Sequence, residues 1–212
     1  MAQRIYRIIF LLFVAAGAVR LSAQNLSSEV GVWVIDTKWT DTTLGNQNIN
    51  RSGQFDEKTG YGLSFNHFWT ESLSTELSAQ RFDTGVVFRG FSVEGEEMVD
   101  RGELDVMTIT LMAQWHFNRA GRFAPYVGAG VTRLAADYEP DDEGPRAAIL
   151  GGIVPLGPTE FKTEALTVAA GANVRVTDRI YLAGEAKYMP STAIDRVEID
   201  PIVFSAGVKV RF

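Results

Sequence analysis

The chain has 212 residues and a formal net charge of −6, and its mean hydropathy is essentially zero. It contains no cysteine, which excludes disulfides and thiol chemistry. Its acidic balance disfavours a nucleic-acid-binding surface. Beyond the N-terminus it has no apolar run of the roughly 18 residues that a transmembrane helix needs. Its apolar residues alternate instead with polar ones.

The N-terminus has the three parts of a secretory signal peptide. Arg4 and Arg7 supply the positive charge, residues 8–19 are apolar, and Ala23 is the small residue expected at a cleavage site. The apolar stretch of about 12 residues is short for a membrane anchor. We therefore expect removal of residues 1–23, leaving one domain at 24–212 with 17 basic and 26 acidic residues.

Period-two alternation of apolar and polar residues predicts eight strands in this domain. They fall at about 29–39, 61–66, 73–80, 107–117, 126–134, 166–176, 180–188 and 204–212. In the first strand both faces are apolar, with Trp33 and Ile35 on one and Val32 and Val34 on the other. The pattern therefore does not decide which face of this strand meets lipid.

The connectors between these strands alternate strictly in length. Those near 70–72, 118–122 and 177–179 are short, and those at about 40–58, 83–103, 135–162 and 190–199 are long. Bacterial outer-membrane barrels have even strand numbers, short periplasmic turns and longer outer loops. The pattern predicts an all-β fold, an eight-stranded antiparallel up-and-down transmembrane β-barrel in a Gram-negative-type outer membrane.

The alternative is a soluble lipocalin-like barrel with its apolar residues inside. In that barrel the charged residues of the last strands would lie outside. The aromatic-rich faces of several strands would then have to fit together inside a narrow bore, which argues against it. The chain also ends on Phe212, and an aromatic residue at the end of the last strand is the usual signal for outer-membrane assembly. Trp69, Trp115 and Phe117 lie just before short turns, as expected for an interfacial girdle.

In the membrane barrel, charged side chains on the polar strand faces point into the bore. The predicted lumen charges are Glu76, Glu185, Lys187, Lys209 and Arg211. An eight-stranded bore is just wide enough for side chains to fill it, and buried charges are usually paired. We expect a structural salt-bridge plug; the functional alternative is a constriction that blocks ions and water.

Four stretches resemble the OmpW family of small outer-membrane β-barrels, which includes the alkane-uptake protein AlkL. They are LSFNHFWTESLSTELSAQRF at 63–82, TLMAQWHF at 110–117, FAPYVGAGV at 123–131 and IDPIVFSAGVKVRF at 199–212. The sequence departs from the family where residues 104–107 lack prolines, where Arg81 precedes Phe82, and where no arginine lies near Trp33. The resemblance implies an eight-stranded barrel and favours uptake of hydrophobic solutes.

The sequence predicts no catalytic centre, no metal site and no cofactor. Its only two histidines, His67 and His116, lack a recognisable nucleophile and an orienting carboxylate in the sequence. The acidic stretch 137–144 lacks the spacing of a calcium-binding loop. We interpret it as a solvated outer loop, repelled by lipopolysaccharide or bridged to it by cations.

Two of the long connectors contain apolar clusters, which on a surface usually mark a partner or a ligand. The cluster residues are Val86, Phe88 and Phe91 in the second, and Ile149, Leu150, Ile153 and Val154 in the third. They form a hypothetical hydrophobic mouth for passive uptake of a small hydrophobic solute. Alternatively, the strands extend above the membrane, the loops pack on one another, and the protein is a structural or surface-interaction barrel.

The expected partners follow from this location. They are outer-membrane lipid and lipopolysaccharide, the barrel-assembly machinery and a small hydrophobic solute. Nucleic acid is not among them. Nothing in the sequence defines an oligomeric state.

Overall fold

The computed structural model describes residues 28–39, 42–43, 52–55, 59–91, 97–140, 159–190, 192–194, 197–199 and 201–212. The predicted signal peptide at 1–23 lies outside these ranges. The described residues form twelve strands. Among them no helix is long and apolar enough to cross a membrane.

Eight of the strands form the wall of a closed barrel. They are β1 (Ser28–Trp39), β4 (Thr59–Phe68), β5 (Leu73–Phe91), β6 (Glu97–His116), β7 (Phe123–Pro140), β8 (Thr159–Arg175), β9 (Ile180–Tyr188) and β12 (Pro201–Arg211). Each pairs antiparallel with its neighbours along the chain, and β1 pairs with β12 to close the circle. Four short strands complete the described structure: β2 (Thr42–Thr43), β3 (Ser52–Phe55), β10 (Thr192–Ile194) and β11 (Val197–Ile199).

The two ends of the chain meet at the seam between β1 and β12. Glu29 lies opposite Arg211 in the ladder. Beyond them the Ser28 amide donates to the Phe212 carbonyl at 3.2 Å, and the Phe212 amide donates to Ser28 at 3.0 Å. The predicted eight-stranded up-and-down barrel is therefore confirmed.

Short turns join the wall strands at one end of the barrel, at 69–72, 117–122 and 176–179. Threonine side chains stabilise two of them. The Thr70 hydroxyl accepts from the Leu73 amide at 2.9 Å, and the Thr177 hydroxyl accepts from the Ile180 amide at 3.0 Å. Such side-chain acceptors mimic a backbone turn. This end is the periplasmic end of an outer-membrane barrel.

The predicted bounds of the second and third long connectors, 83–103 and 135–162, are wrong. β5 continues to Phe91, β6 begins at Glu97, β7 continues to Pro140 and β8 begins at Thr159. Above the lipid the outward residues become charged while several inward ones, such as Leu104, stay apolar. Here the polar residues face outward and the apolar residues face inward, the opposite of the alternation within the membrane. The sequence pattern therefore predicted strand ends that lie too close to the membrane.

The outward face of the wall is an apolar band. Along β6 and the residue that follows it, the band runs from Met107 to Phe117, which for a tilted strand spans roughly 25 Å of height. In β1 the outward residues are Val32 and Val34, whereas Trp33 and Ile35 are buried in the lumen. Every aromatic of the predicted girdle lies exposed at the short-turn end: Trp69, Trp115, Phe117 and Phe212.

The lipid-facing band generates a depth-dependent prediction. Leu111 lies midway along the outward face of β6, and Leu73 lies at the short-turn end of β5. Leu111→Arg should cost about 2–4 kcal/mol of folding free energy, and Leu73→Arg only about 0–1 kcal/mol. Urea titration of the protein in lipid vesicles measures both. Equal costs for the two variants would contradict the assignment of the band.

Candidate functional site

Polar side chains fill the inward face at the periplasmic half of the barrel. The buried members include Glu29, Asn66, Ser74, Glu76, Ser78, Gln114, His116, Tyr126, Glu185, Lys187 and Lys209. They come from β1, β4, β5, β6, β7, β9 and β12. The inward positions of seven strands therefore converge on one cluster, which we call the lumen plug.

Glu76 is the centre of the lumen plug. Its carboxylate accepts from Lys209 Nζ at 3.2 Å and lies 3.6 Å from Lys187 Nζ. Lys187 also contacts Glu185 at 3.0 Å and donates to Ser78 Oγ at 3.1 Å. These bonds cross the lumen from β5 to β9 and β12. Because the ions are nearly fully buried, each depends on its partners to offset the cost of desolvation.

Aromatic rings and amides complete the lumen plug. Tyr126 on β7 donates its hydroxyl to Glu185 Oε2 at 3.0 Å. Lys209 Nζ lies 4.9 Å from the centre of the Trp33 ring, a cation–π distance. Asn66 donates to Gln114 Oε1 at 3.1 Å. The bore at this level is therefore crossed by side chains bonded to one another.

Arg211 forms an ion pair at the periplasmic end of the lumen plug. Its guanidinium contacts Glu29 Oε1 at 2.6 Å and stacks 4.2 Å from the Tyr181 ring centre. The neighbouring Arg119 guanidinium lies 3.7 Å from the Phe68 ring centre. Burial and the nearby Arg211 lower the pKa of Arg119 from its ordinary value. The periplasmic end of the lumen is thus lined by cations.

The structure places all five predicted lumen charges on the inward face, but in two groups. Glu76, Glu185, Lys187 and Lys209 meet at the centre of the lumen plug, whereas Arg211 pairs with Glu29 at its periplasmic end. Sequence reasoning missed Glu29, although it shares the face of Trp33. The sequence pattern could not show that Glu29 points inward, because both faces of β1 are apolar.

The outer half of the lumen has a different lining. A ladder of hydroxyl groups marks the change: Thr132 bonds Thr110 at 2.8 Å and Thr167 at 2.5 Å. Above it the buried side chains are mainly apolar: Ile35, Phe82, Leu104, Val106, Leu134, Ala136, Ala165, Met189 and Val203. None of the inward side chains described above this ladder is charged. The lumen is therefore mainly apolar and uncharged on the outer side, with a few buried polar groups such as Gln80 and Thr108, and ionic on the periplasmic side.

Each histidine has a serine partner that the sequence analysis did not find. His116 Nε2 lies 2.9 Å from Ser74 Oγ, and His67 Nδ1 lies 3.1 Å from Ser28 Oγ. These pairs form across strands, so only the register shows them. In the described structure His116 Nδ1 has no hydrogen-bond partner, and therefore no orienting carboxylate. Ser74 and His116 are both fully buried, so we assign them to the lumen plug.

The residues of the predicted hydrophobic mouth are only partly described. Val86, Phe88 and Phe91 lie in β5 rather than in a loop, and their side chains are outside the described set. Ile149, Leu150, Ile153 and Val154 also lie outside the described residues.

Carboxylates dominate the outer wall above the apolar band. Asp83, Asp105, Asp137 and Glu160 lie directly opposite one another across β5, β6, β7 and β8. Arg81 pairs with Asp105. A groove of about 490 Å³ runs along these residues. Within the described ranges, no three acidic or histidine side chains are grouped closely enough to hold a metal ion.

Comparison with known proteins agrees with this architecture. The sequence matches the outer membrane protein beta-barrel domain family over residues 10–212. OprG from Pseudomonas aeruginosa is 16% identical with a TM-score of 0.57, covering 89% of this chain and 97% of that one. Neisserial surface protein A is 15% identical with a TM-score of 0.58, covering 87% and 97%. AlkL in lipid bilayers is 17% identical with a TM-score of 0.58, covering 92% and 94%. No curated protein sequence matches the chain.

A closed antiparallel barrel with an apolar outer band and a filled bore defines an outer-membrane β-barrel protein. The chain belongs to the outer membrane protein beta-barrel domain family. The resemblance to small OmpW-type barrels is confirmed, since AlkL shares this fold. The protein is therefore located in the outer membrane, among its lipid and lipopolysaccharide.

The ion cluster generates a stability prediction. Glu76→Gln leaves Lys187 and Lys209 without their shared carboxylate, so it should cost about 3–5 kcal/mol. The matched control Glu164→Gln, on the exposed face of β8, should change stability by less than about 0.5 kcal/mol. Urea titration in vesicles measures both. If Glu76→Gln is as mild as the control, the cluster does not hold the barrel together.

Proposed function

We propose that this protein carries small hydrophobic molecules passively across the outer membrane. The observation that supports this function best is the division of the lumen. An apolar outer half suits a hydrophobic solute, and an ionic periplasmic half excludes it. Passive transfer down a concentration gradient needs no cofactor and no energy source.

The lumen plug argues against a straight path to the periplasm. An eight-stranded bore is only wide enough for side chains to fill it, and here Glu76 bridges Lys187 and Lys209 across it. An apolar solute would have to break these ion pairs to pass. A solute that enters from outside would therefore leave sideways into the membrane.

The register supports one place for this exit, between β8 and β9. Their ladder runs only from Arg175 and Tyr181 up to Val168 and Tyr188. β8 continues above that level to Thr159, where β10 lies beside it instead of β9. Ala165 and Met189 line the lumen there, and Leu166 is 69% exposed on the lipid side. An opening here would join the apolar lumen to the outer leaflet.

The proposed entrance is the apolar mouth at the outer end. It comprises Val86, Phe88 and Phe91 of β5 together with Ile149, Leu150, Ile153 and Val154 of the third connector. Such a cluster would collect hydrophobic solutes released from the lipopolysaccharide layer.

The alternative is a structural or surface-interaction barrel without transport. The observation in its favour is the tight closure of the lumen, since Ile35 and Val106 are 0% exposed. On this proposal the strands that extend above the membrane would present the acidic outer wall to a partner. In either case we propose that the assembly machinery recognises the C-terminal strand ending in Phe212.

Uptake of a small apolar fluorescent dye by cells tests the transport proposal. Ala165→Phe puts a ring into the outer lumen beside the proposed exit, so it should slow uptake towards the rate of cells lacking the protein. Ala170→Phe changes the lipid-facing side of the same strand and should leave uptake unchanged. Equal rates for wild type and both folded variants would refute the lumen route.

The entrance is tested in the same assay. Serine at positions Ile149, Leu150, Ile153 and Val154 together should also slow uptake, with the barrel still folded and the porin background fixed. If cells with the wild-type protein take up the dye no faster than cells lacking it, the structural alternative is favoured.

A further inference from the structure

Five arginines converge on the lumen at its periplasmic mouth. They are Arg119, Arg122, Arg175, Arg179 and Arg211. In the β8–β9 ladder Arg175 lies directly opposite Tyr181, whose side chain is buried in the lumen. Directly opposed residues project to the same face of a sheet. Arg175 therefore points towards the lumen axis and away from the lipid.

The register gives the other strand arginines the same direction. Arg122 lies opposite Arg175, whose amide donates to the Arg122 carbonyl at 2.8 Å. Arg179 lies opposite Arg211, whose amide donates to the Arg179 carbonyl at 2.8 Å. Arg211 also lies opposite the buried Glu29. The four arginines on β7, β8, β9 and β12 or next to them thus share the lumen face.

Aromatic rings hold two of the guanidinium groups in place. The guanidinium of Arg119, in the turn before β7, lies 3.7 Å from the centre of the buried Phe68 ring. The Arg211 guanidinium lies 5.7 Å from the same centre and 4.2 Å from that of Tyr181. Stacking on aromatic faces restricts the planar guanidinium. Part of the mouth is therefore preorganised without a ligand.

The mouth has more arginines than carboxylates. The carboxylates of the described structure at this end are Glu29, Glu71 and Asp178. Glu29 pairs with Arg211, and the other two lie on exposed turns. Within the described ranges, no carboxylate lies within ion-pair distance of Arg122, Arg175 or Arg179. Like charges that lie directly opposite each other destabilise a sheet, so an added anion here would stabilise the barrel.

We propose that this mouth binds a small, multiply charged oxyanion of the phosphate class from the periplasm. Arg122 and Arg175 hold it, since the Cβ atoms of opposed residues are about 4.5–5.5 Å apart. Arg179 is a diagonal neighbour of Arg175, at about 7–8 Å, and its long side chain reaches the same anion. Each guanidinium presents paired donors that match phosphate geometry.

Two features restrict the ligand to a small, water-borne anion. The lumen plug fills the bore directly above the mouth, so a bulky group has no space to enter. The arginines point to the lumen axis, whereas their neighbours Phe123 and Val174 are exposed on the lipid side. The anion therefore arrives from the aqueous side. This inference is independent of the transport proposal.

Calorimetric titration of inorganic phosphate tests the proposal on the mature barrel in an uncharged, phosphate-free detergent at constant ionic strength. The wild type should bind one phosphate per barrel and show no such binding of chloride. Arg122→Gln and Arg175→Gln should each weaken binding about tenfold, because each removes charge-assisted hydrogen bonds. Without phosphate both variants should be at least as stable to urea as wild type, because the repulsion is relieved.

Two further variants serve as controls. Arg133→Gln removes the same charge from the outward face of β7 and should keep the wild-type affinity for phosphate. Arg122→Lys keeps the charge but loses the paired donors, so its affinity should lie between those of wild type and Arg122→Gln.

Three results would overturn the proposal. The first is wild-type binding of phosphate that is no stronger than that of chloride. The second is equal phosphate affinity in wild type, Arg122→Gln and Arg175→Gln, which would place the anion elsewhere. The third comes from vesicles with and without phosphatidylglycerol. If that lipid stabilises wild type more than Arg122→Gln while free phosphate does not bind, the ligand is a lipid head group.

Discussion

Lipid offers no hydrogen-bond partner to a peptide group, and every other feature of this molecule follows from that constraint. A sheet that crosses the hydrocarbon must have no free edge. Here β1 pairs with β4 on one side and β12 on the other, down to the mutual bonds of Ser28 and Phe212. Closure with eight strands leaves a narrow bore, so side chains rather than water occupy its centre.

The narrow bore explains why its lining is divided. Charges at its periplasmic half are buried, and a buried charge is tolerated only with a partner. Glu76 therefore serves both Lys187 and Lys209, and Glu185 adds a second carboxylate to Lys187. Above the Thr110–Thr132–Thr167 ladder no such pairing is needed, because the described inward side chains are uncharged. One closed wall thus holds two chemically distinct compartments.

The strands and the faces of most of their residues could be predicted from alternation, because lipid and lumen impose opposite polarities on neighbouring residues. The partners across the bore could not be. Glu76 and Lys209 are far apart in sequence, and only the register of the closed sheet brings them together. The same holds for Ser74 and His116. The parts of β5 and β6 that lie within the predicted connector 83–103 were missed because their outward residues face water and are therefore polar.

The central claim is that the outer lumen admits apolar solutes while the lumen plug closes the bore to polar ones. Its most direct test compares a small apolar dye with a polar dye of similar size, in cells with and without the protein in a porin-deficient background. The account predicts that the protein accelerates uptake of the apolar dye and leaves that of the polar dye unchanged. Equal acceleration of both would show an open aqueous bore and contradict it, and so would no acceleration of either by the folded protein.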